Sequence, residues 1–287
     1  MIGQTMLRRN ISQLIEYDEF PRFSILVGAE GSGKKTLTNA IAFALNCQRA
    51  IVVPKVDVIR EMIKDCYKVQ SPVLYVIIDS DKMSPQAKNA MLKVCEETPN
   101  NAYIMMLVND INTVLPTIKS RACVFAINPY TNETILEYAQ LVEKVKGVKR
   151  TTKIADIITD LCETPGDVNK LYEIGPEEFY SYVEKVIDNI ADVSGANALK
   201  IASQIDFKGD NKDKYDMTLF LRAFKSICGR EMKKAVAEDD MEMQMYYSDG
   251  IKIVTKVLQQ MQITGINKGA LFDMFILDIR NEWTEWC

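Results

Sequence analysis

The chain has 287 residues, 47% of them hydrophobic and 26% charged, an ordinary globular composition with length for two or three domains. It contains no histidine, which excludes Ser-His-Asp and Cys-His catalysis and histidine-ligated metals, and its seven scattered cysteines form no C-x-x-C pair. Reduced thiols fit that cysteine pattern, and neither a disulfide frame nor a zinc site does. The net charge of −4 is unevenly spread: residues 1–127 carry 15 Lys/Arg against 12 Asp/Glu, 128–178 carry 6 against 10, and 179–287 carry 14 against 17. Only the first segment is net positive, so it is the candidate for any contact with nucleic acid.

The start, Met1 to Asn10, has Arg8 and Arg9 but no following apolar run, and no stretch reaches the roughly 18 apolar residues of a membrane span. A cytoplasmic protein without membrane contact is expected. From Phe23 onward, apolar runs alternate with helical patterns: Phe23–Val27, Ala50–Val53, Val73–Ile78, Ala102–Val108 and Ala122–Ile127. Continuous apolar runs of this length predict parallel strands buried on both faces and joined by crossover helices. The first segment is therefore an α/β domain.

Gly28-Ala-Glu-Gly-Ser-Gly33-Lys34 follows the first of these strands and opens a helix predicted from Thr36 to Leu45. Gly28, Gly31, Ser32 and Gly33 let backbone N–H groups converge on phosphate oxygens at a helix N-terminus, and Lys34 supplies positive charge to the outer phosphates. ATP or ADP is the expected ligand. The next residue should carry a hydroxyl for Mg²⁺; Lys35 stands there and Thr36 comes one step too late, which puts magnesium coordination in question.

The third run ends on Asp79, placed to hold a metal or its water opposite the loop. An ATPase of this kind next needs a carboxylate to orient the attacking water, and Ser80 is found instead. Asp81 leaves the strand in another direction and is a poor substitute. A helix follows with Ser84 as N-cap, Pro85 at its first position and Ala87, Ala90, Met91, Val94 and Cys95 on one face; Lys88 and Lys93 point elsewhere. After Pro129 helical periodicity takes over, with breaks at Thr164-Pro-Gly-Asp167, Ile174-Gly-Pro176, Lys208–Asp213 and Thr264–Asn267. A small helical domain is expected at 128–178 and a second at 179–287, with Trp283 and Trp286 packing in the last helix.

Taken in order, Ile2-Gly3-Gln4, the phosphate loop, Ile77-Ile-Asp79-x-x-Lys-Met83, Ala87-x-x-Ala90-Met-Leu-Lys93-x-x-Glu96-Glu97-x-Pro99 and Leu115-Pro-Thr-Ile-x-Ser120-Arg121 resemble the first domain of DNA polymerase III clamp-loader subunits. The resemblance covers residues 1–127 and is strongest to delta-prime, with relatives among gamma and replication factor C subunits. It implies an AAA+ P-loop domain with a parallel sheet (1–127), a helical lid (128–178) and an all-α collar (179–287). It also implies partnership with other clamp-loader subunits through the collar, and with a sliding clamp and primer–template DNA in the assembled ring.

By the same resemblance Arg121 is an arginine finger aimed at a neighbour's nucleotide, although Ala122 stands where the family has cysteine. Asn109 is the polar sensor of the γ-phosphate, Gln4 joins the nucleotide site, and Lys88 and Lys93 face DNA. Asn169 occupies the place of a second sensor arginine. The zinc module of many bacterial members has no room in the 45 positions from Lys34 to Asp79. Lys35, Ser80 and Asn169 all weaken the same reaction while Arg121 is kept, so the expected role is a subunit that helps a neighbour hydrolyse ATP. Two other readings fit the same residues: an active ATPase subunit in which Thr36 and Asp81 stand in for the missing groups, and an AAA+-derived adaptor with no DNA role.

Overall fold

The computed structural model describes residues 2–190, 204–206, 215–261 and 265–284. Lys208–Asp213 and Trp286 lie outside the described residues. Two units result: Met1–Thr134 with Thr164–Gly166, and Ile135–Glu163 with Asp167–Cys287.

The first unit runs α1 (Thr5–Glu16), β1 (Phe23–Val27), α2 (Lys34–Ala44), β2 (Gln48–Val52), α3 (Val56–Cys66), β3 (Val73–Ile77), α4 (Pro85–Glu96), β4 (Ala102–Val108), α5 (Pro116–Lys119) and β5 (Cys123–Ala126). All strand pairings are parallel, in the order β2-β3-β4-β1-β5. Strand periodicity sorts the side chains into two cores. Phe23, Ile25, Val73, Tyr75, Ile77, Ile104 and Met106 face α3, α4 and α5, whereas Leu26, Leu74, Val76, Tyr103, Met105 and Leu107 face α1 and α2. Central strands must satisfy both layers, which is why β3 and β4 are buried throughout.

The edge strands depart from the sequence expectation for the same reason. β2 begins at the polar Gln48, ahead of the predicted Ala50, and in β5 Val124 remains 42% exposed. A strand with one neighbour has less to cover, so apolarity is a weaker guide to its limits. In α4 the Ser84 hydroxyl accepts the Ala87 N–H at 3.2 Å, and Ala87, Met91, Val94 and Cys95 are buried, as the sequence indicated.

The second unit takes in most of α6 (Asn132–Lys146), α7 (Thr152–Leu161), most of α8 (Pro165–Ile174), α9 (Pro176–Asn189), a two-residue parallel pair β6 (Ile205–Asp206) with β7 (Tyr215–Asp216), then α10 (Met217–Ala237), α11 (Met241–Gln260) and α12 (Lys268–Thr284). Trp283 anchors its core: the ring is fully buried, stacks on Tyr246 and Phe224, and donates its indole N–H to the Tyr246 carbonyl at 2.9 Å. A Cβ on Gly250 would stand 2.7 Å from that ring, so α11 needs glycine there. Among the described residues no helix is long and apolar enough to cross a membrane.

Candidate nucleotide site

β1 delivers the glycine loop to the C-terminal edge of the sheet. The Gly28 N–H donates to the Val108 carbonyl at 3.2 Å, tying the loop to β4. A Cβ on Gly28 would lie 2.8 Å from Ser32 Oγ and 3.0 Å from Ile127, so a side chain there would displace both. Gly31 (φ 77°) and Gly33 (φ 91°) take the left-handed conformation that favours glycine. Gly33 caps α2 without any side-chain acceptor, so the first-turn N–H groups have no intrahelical partner and present positive dipole at the loop.

Lys34 Nζ donates to the carbonyls of Gly28 at 2.6 Å and Ala29 at 2.9 Å, and to Asn109 Oδ1 at 2.8 Å. Burial lowers its pKa below the ordinary 10.5; the Asp81, Glu30 and Asp79 carboxylates oppose that shift and Lys35 adds to it. The Ser32 hydroxyl is buried without a hydrogen-bond partner. Glycines that exclude a Cβ, uncapped helix amides and an orphaned hydroxyl together suit a phosphate group.

The acidic side is built differently. Asp79 leaves β3 in a left-handed conformation (φ 48°), exposed, with Lys82 at 3.9 Å. Ser80 is buried and donates to the Ile77 carbonyl at 2.9 Å. Asp81 accepts the Asn109 N–H at 2.8 Å, the Asp110 N–H at 3.3 Å and the Thr113 hydroxyl at 2.9 Å. That carboxylate staples the turn after β4 and so sets where Asn109 meets Lys34, a role the sequence did not disclose. Lys35 and Thr36 are exposed on α2, where the Lys35 carbonyl accepts from Thr38 at 2.8 Å and from Arg49 at 3.4 Å. Among the described residues no group of three or more His, Cys, Asp or Glu could hold a metal.

The remaining sequence candidates lie elsewhere. Gln4 donates its amide to the Asn128 carbonyl at 2.7 Å and accepts the Asn128 N–H at 3.0 Å. Arg121 is ion-paired to Glu96 and donates to the Thr117 carbonyl at 2.7 Å. Lys88 donates to the Thr113 carbonyl at 2.7 Å, while Lys93 is exposed. In the second unit the Asn169 amide pairs with the Tyr138 hydroxyl at 3.1 Å.

A five-stranded parallel sheet whose first strand feeds a phosphate loop into a helix is the AAA+ α/β fold. The structure is similar to a Thermotoga maritima RuvB Holliday junction branch migration motor, with TM-score 0.52, 14% identity and coverage of 82% of this chain and 76% of that one. It is equally similar to a DNA polymerase III gamma-subunit-related protein of Thermotoga maritima, with TM-score 0.52, 16% identity and coverage of 95% and 99%. Such identities speak for the fold alone.

The family model for DNA polymerase III, delta subunit, matches residues 52–131. Gamma/tau of DNA polymerase III from Mycoplasma pneumoniae is 25% identical over 56% of this chain and 28% of its own length. The gamma subunit from Buchnera aphidicola is 26% identical over 56% and 53%. The chain thus spans between about a quarter and about half of these two relatives. Replication factor C small subunit 1 of Pyrobaculum aerophilum is 23% identical over 83% of this chain and 76% of its own. The chain is thus similar to AAA+ clamp-loader subunits over the matched regions.

Proposed function

We propose that this chain is a delta-prime-like clamp-loader subunit of DNA replication that holds ATP or ADP at the Lys34 loop, has little hydrolysis of its own, and lends Arg121 to a neighbour's nucleotide. The carrying observation is the split within the site: the phosphate side is built, while the place of the water-orienting carboxylate is filled by buried Ser80 and Asp81 is committed to three donors. Bound nucleotide would meet the loop amides and Lys34, with Asn109 beside its outermost phosphate. In this reading residues 1–127 are the AAA+ module, 128–178 the lid and 179–287 the collar that packs against other loader subunits. Sliding clamp and primer–template DNA are partners of the assembly, which works in the cytoplasm. Lys93, and Lys88 once released from Thr113, face DNA phosphates; neutralising both flattens the salt dependence of DNA binding by the assembly.

The Arg121–Glu96 pair is no obstacle to action in trans. Its side chains are 37% and 49% exposed, and such half-open pairs contribute about 0–1 kcal/mol. The test is reconstitution with candidate ATPase subunits and a clamp. Arg121→Ala is expected to lower DNA-stimulated ATP turnover by about 1,000-fold while leaving nucleotide binding by the isolated chain intact. Unchanged turnover would rule out the finger.

A further inference from the structure

We infer that Tyr130 and Gly166 are positioning residues of the phosphate loop, which pin the Gly31–Ser32 peptide and the Ser32 carbonyl so that the Gly33 N–H faces the phosphate; this rests on the reading that the loop binds nucleotide. Gly166 donates its N–H to the Gly31 carbonyl at 3.0 Å, and the Tyr130 hydroxyl donates to the Ser32 carbonyl at 2.7 Å. A trans peptide points its C=O and N–H in opposite directions. Fixing the Ser32 carbonyl on Tyr130 therefore turns the Gly33 N–H the other way, towards the side where α2 presents its first-turn amides. The Gly31–Ser32 peptide is held at both ends, because the Ser32 N–H donates to the Ala29 carbonyl at 3.2 Å. A loop so braced does not have to order itself when the anion arrives, which removes part of the entropy that binding must overcome.

The Gly166 brace is built with little slack. A Cβ on Gly166 would stand 2.5 Å from the Gly31 Cα and 3.1 Å from its oxygen; one on Gly31 would stand 2.5 Å from the Thr164 hydroxyl and 3.1 Å from the Gly166 Cα. The contact is backbone on backbone, so no rotamer change relieves it. Tyr130 follows β5, and the segment that carries it is fixed two residues earlier by Gln4, whose amide binds both polar backbone groups of Asn128. The Tyr130 ring packs on the core beneath α1 and α2. Gln4, a candidate ligand contact by sequence, thus acts on the loop at one remove.

The full chain is tested in two ways: titration with a fluorescent ADP, and hydrogen exchange of residues 28–34 without ligand. Tyr130→Phe, which removes only the hydroxyl, should weaken ADP about 10-fold, and Gly166→Ala, which forces the loop to shift, about 30-fold or more. Both should speed exchange at 31–34 and leave the amides around Trp283 as protected as before. A Tyr130→Phe protein that melts lower but keeps its ADP affinity and its loop exchange has a tyrosine that merely packs, and the inference falls. If the unsubstituted chain binds no ADP, the nucleotide reading fails on its own. The bracing is then decided by exchange: faster loop exchange in Tyr130→Phe upholds it and unchanged exchange overturns it.

Discussion

The loops after β1 and after β3 both act on Lys34, the first by hydrogen bonds and the second by charge, but are finished to different standards. After β1 every feature suits an anion: glycines in left-handed conformations, an uncapped helix N-terminus, a half-buried lysine and loop carbonyls held by Gly166 and Tyr130. After β3 the side chains serve the fold, Ser80 by closing on Ile77 and Asp81 by holding Asn109, Asp110 and Thr113. In the proposed reading binding and hydrolysis have separable structural requirements, so that one can survive when the other is lost.

Substitutions on either side should sharpen or break that contrast. The largest effect belongs to Lys34→Ala, expected to weaken ADP by about 100-fold in calorimetry through loss of a charge-assisted contact. Near-normal affinity would mean that the loop is not a phosphate cradle. Ser80→Asp restores the missing carboxylate in sequence only. At 1% exposure the new charge should lower stability by about 2–3 kcal/mol in urea unfolding and yield no turnover. Measurable ATPase in that variant would show that only one group was lacking. Asp81→Ala should remove about 1–2 kcal/mol of stability, since three donors lose their acceptor, and should weaken ADP only a few-fold through Asn109.

The smallest effect is on pH dependence and has opposite signs for folding and binding. Because burial holds the Lys34 pKa below 10.5, the unfolded chain binds more protons than the folded one between the folded pKa and 10.5. Lys34 therefore subtracts from stability at neutral pH, and that penalty fades as pH rises through this window. Nucleotide affinity should fall over the same rise as the cation is neutralised, before an ordinary lysine would titrate. Affinity measured from pH 7 to 10.5 in the unsubstituted chain and in Lys34→Ala isolates the effect, which should be absent from the variant.

Much of this was written locally in the sequence. β1 and β4 fall within the predicted bounds, and the Ser84 cap, the α4 stripe and the glycine loop were visible because each depends on neighbours a few residues away. The support of the loop was not. Gly166 read only as a break between helices, and its approach to Gly31 depends on the tertiary path of the chain. Tyr130 carried no signal beyond following Pro129, and Asp81 was measured against a catalytic role when its partners lie beyond β4. Periodicity likewise overlooked the two-residue β6–β7 pair, which is too short to leave a pattern.

The central claim is that the phosphate cradle persists where hydrolysis has been lost. Its most direct test is to measure nucleotide binding and ATP turnover on the same preparation of the isolated chain, with and without Mg²⁺. The account predicts saturable binding of ADP and ATP that Lys34→Ala removes, with no turnover above background in either condition. Steady ATP turnover that disappears in Lys34→Ala would contradict it.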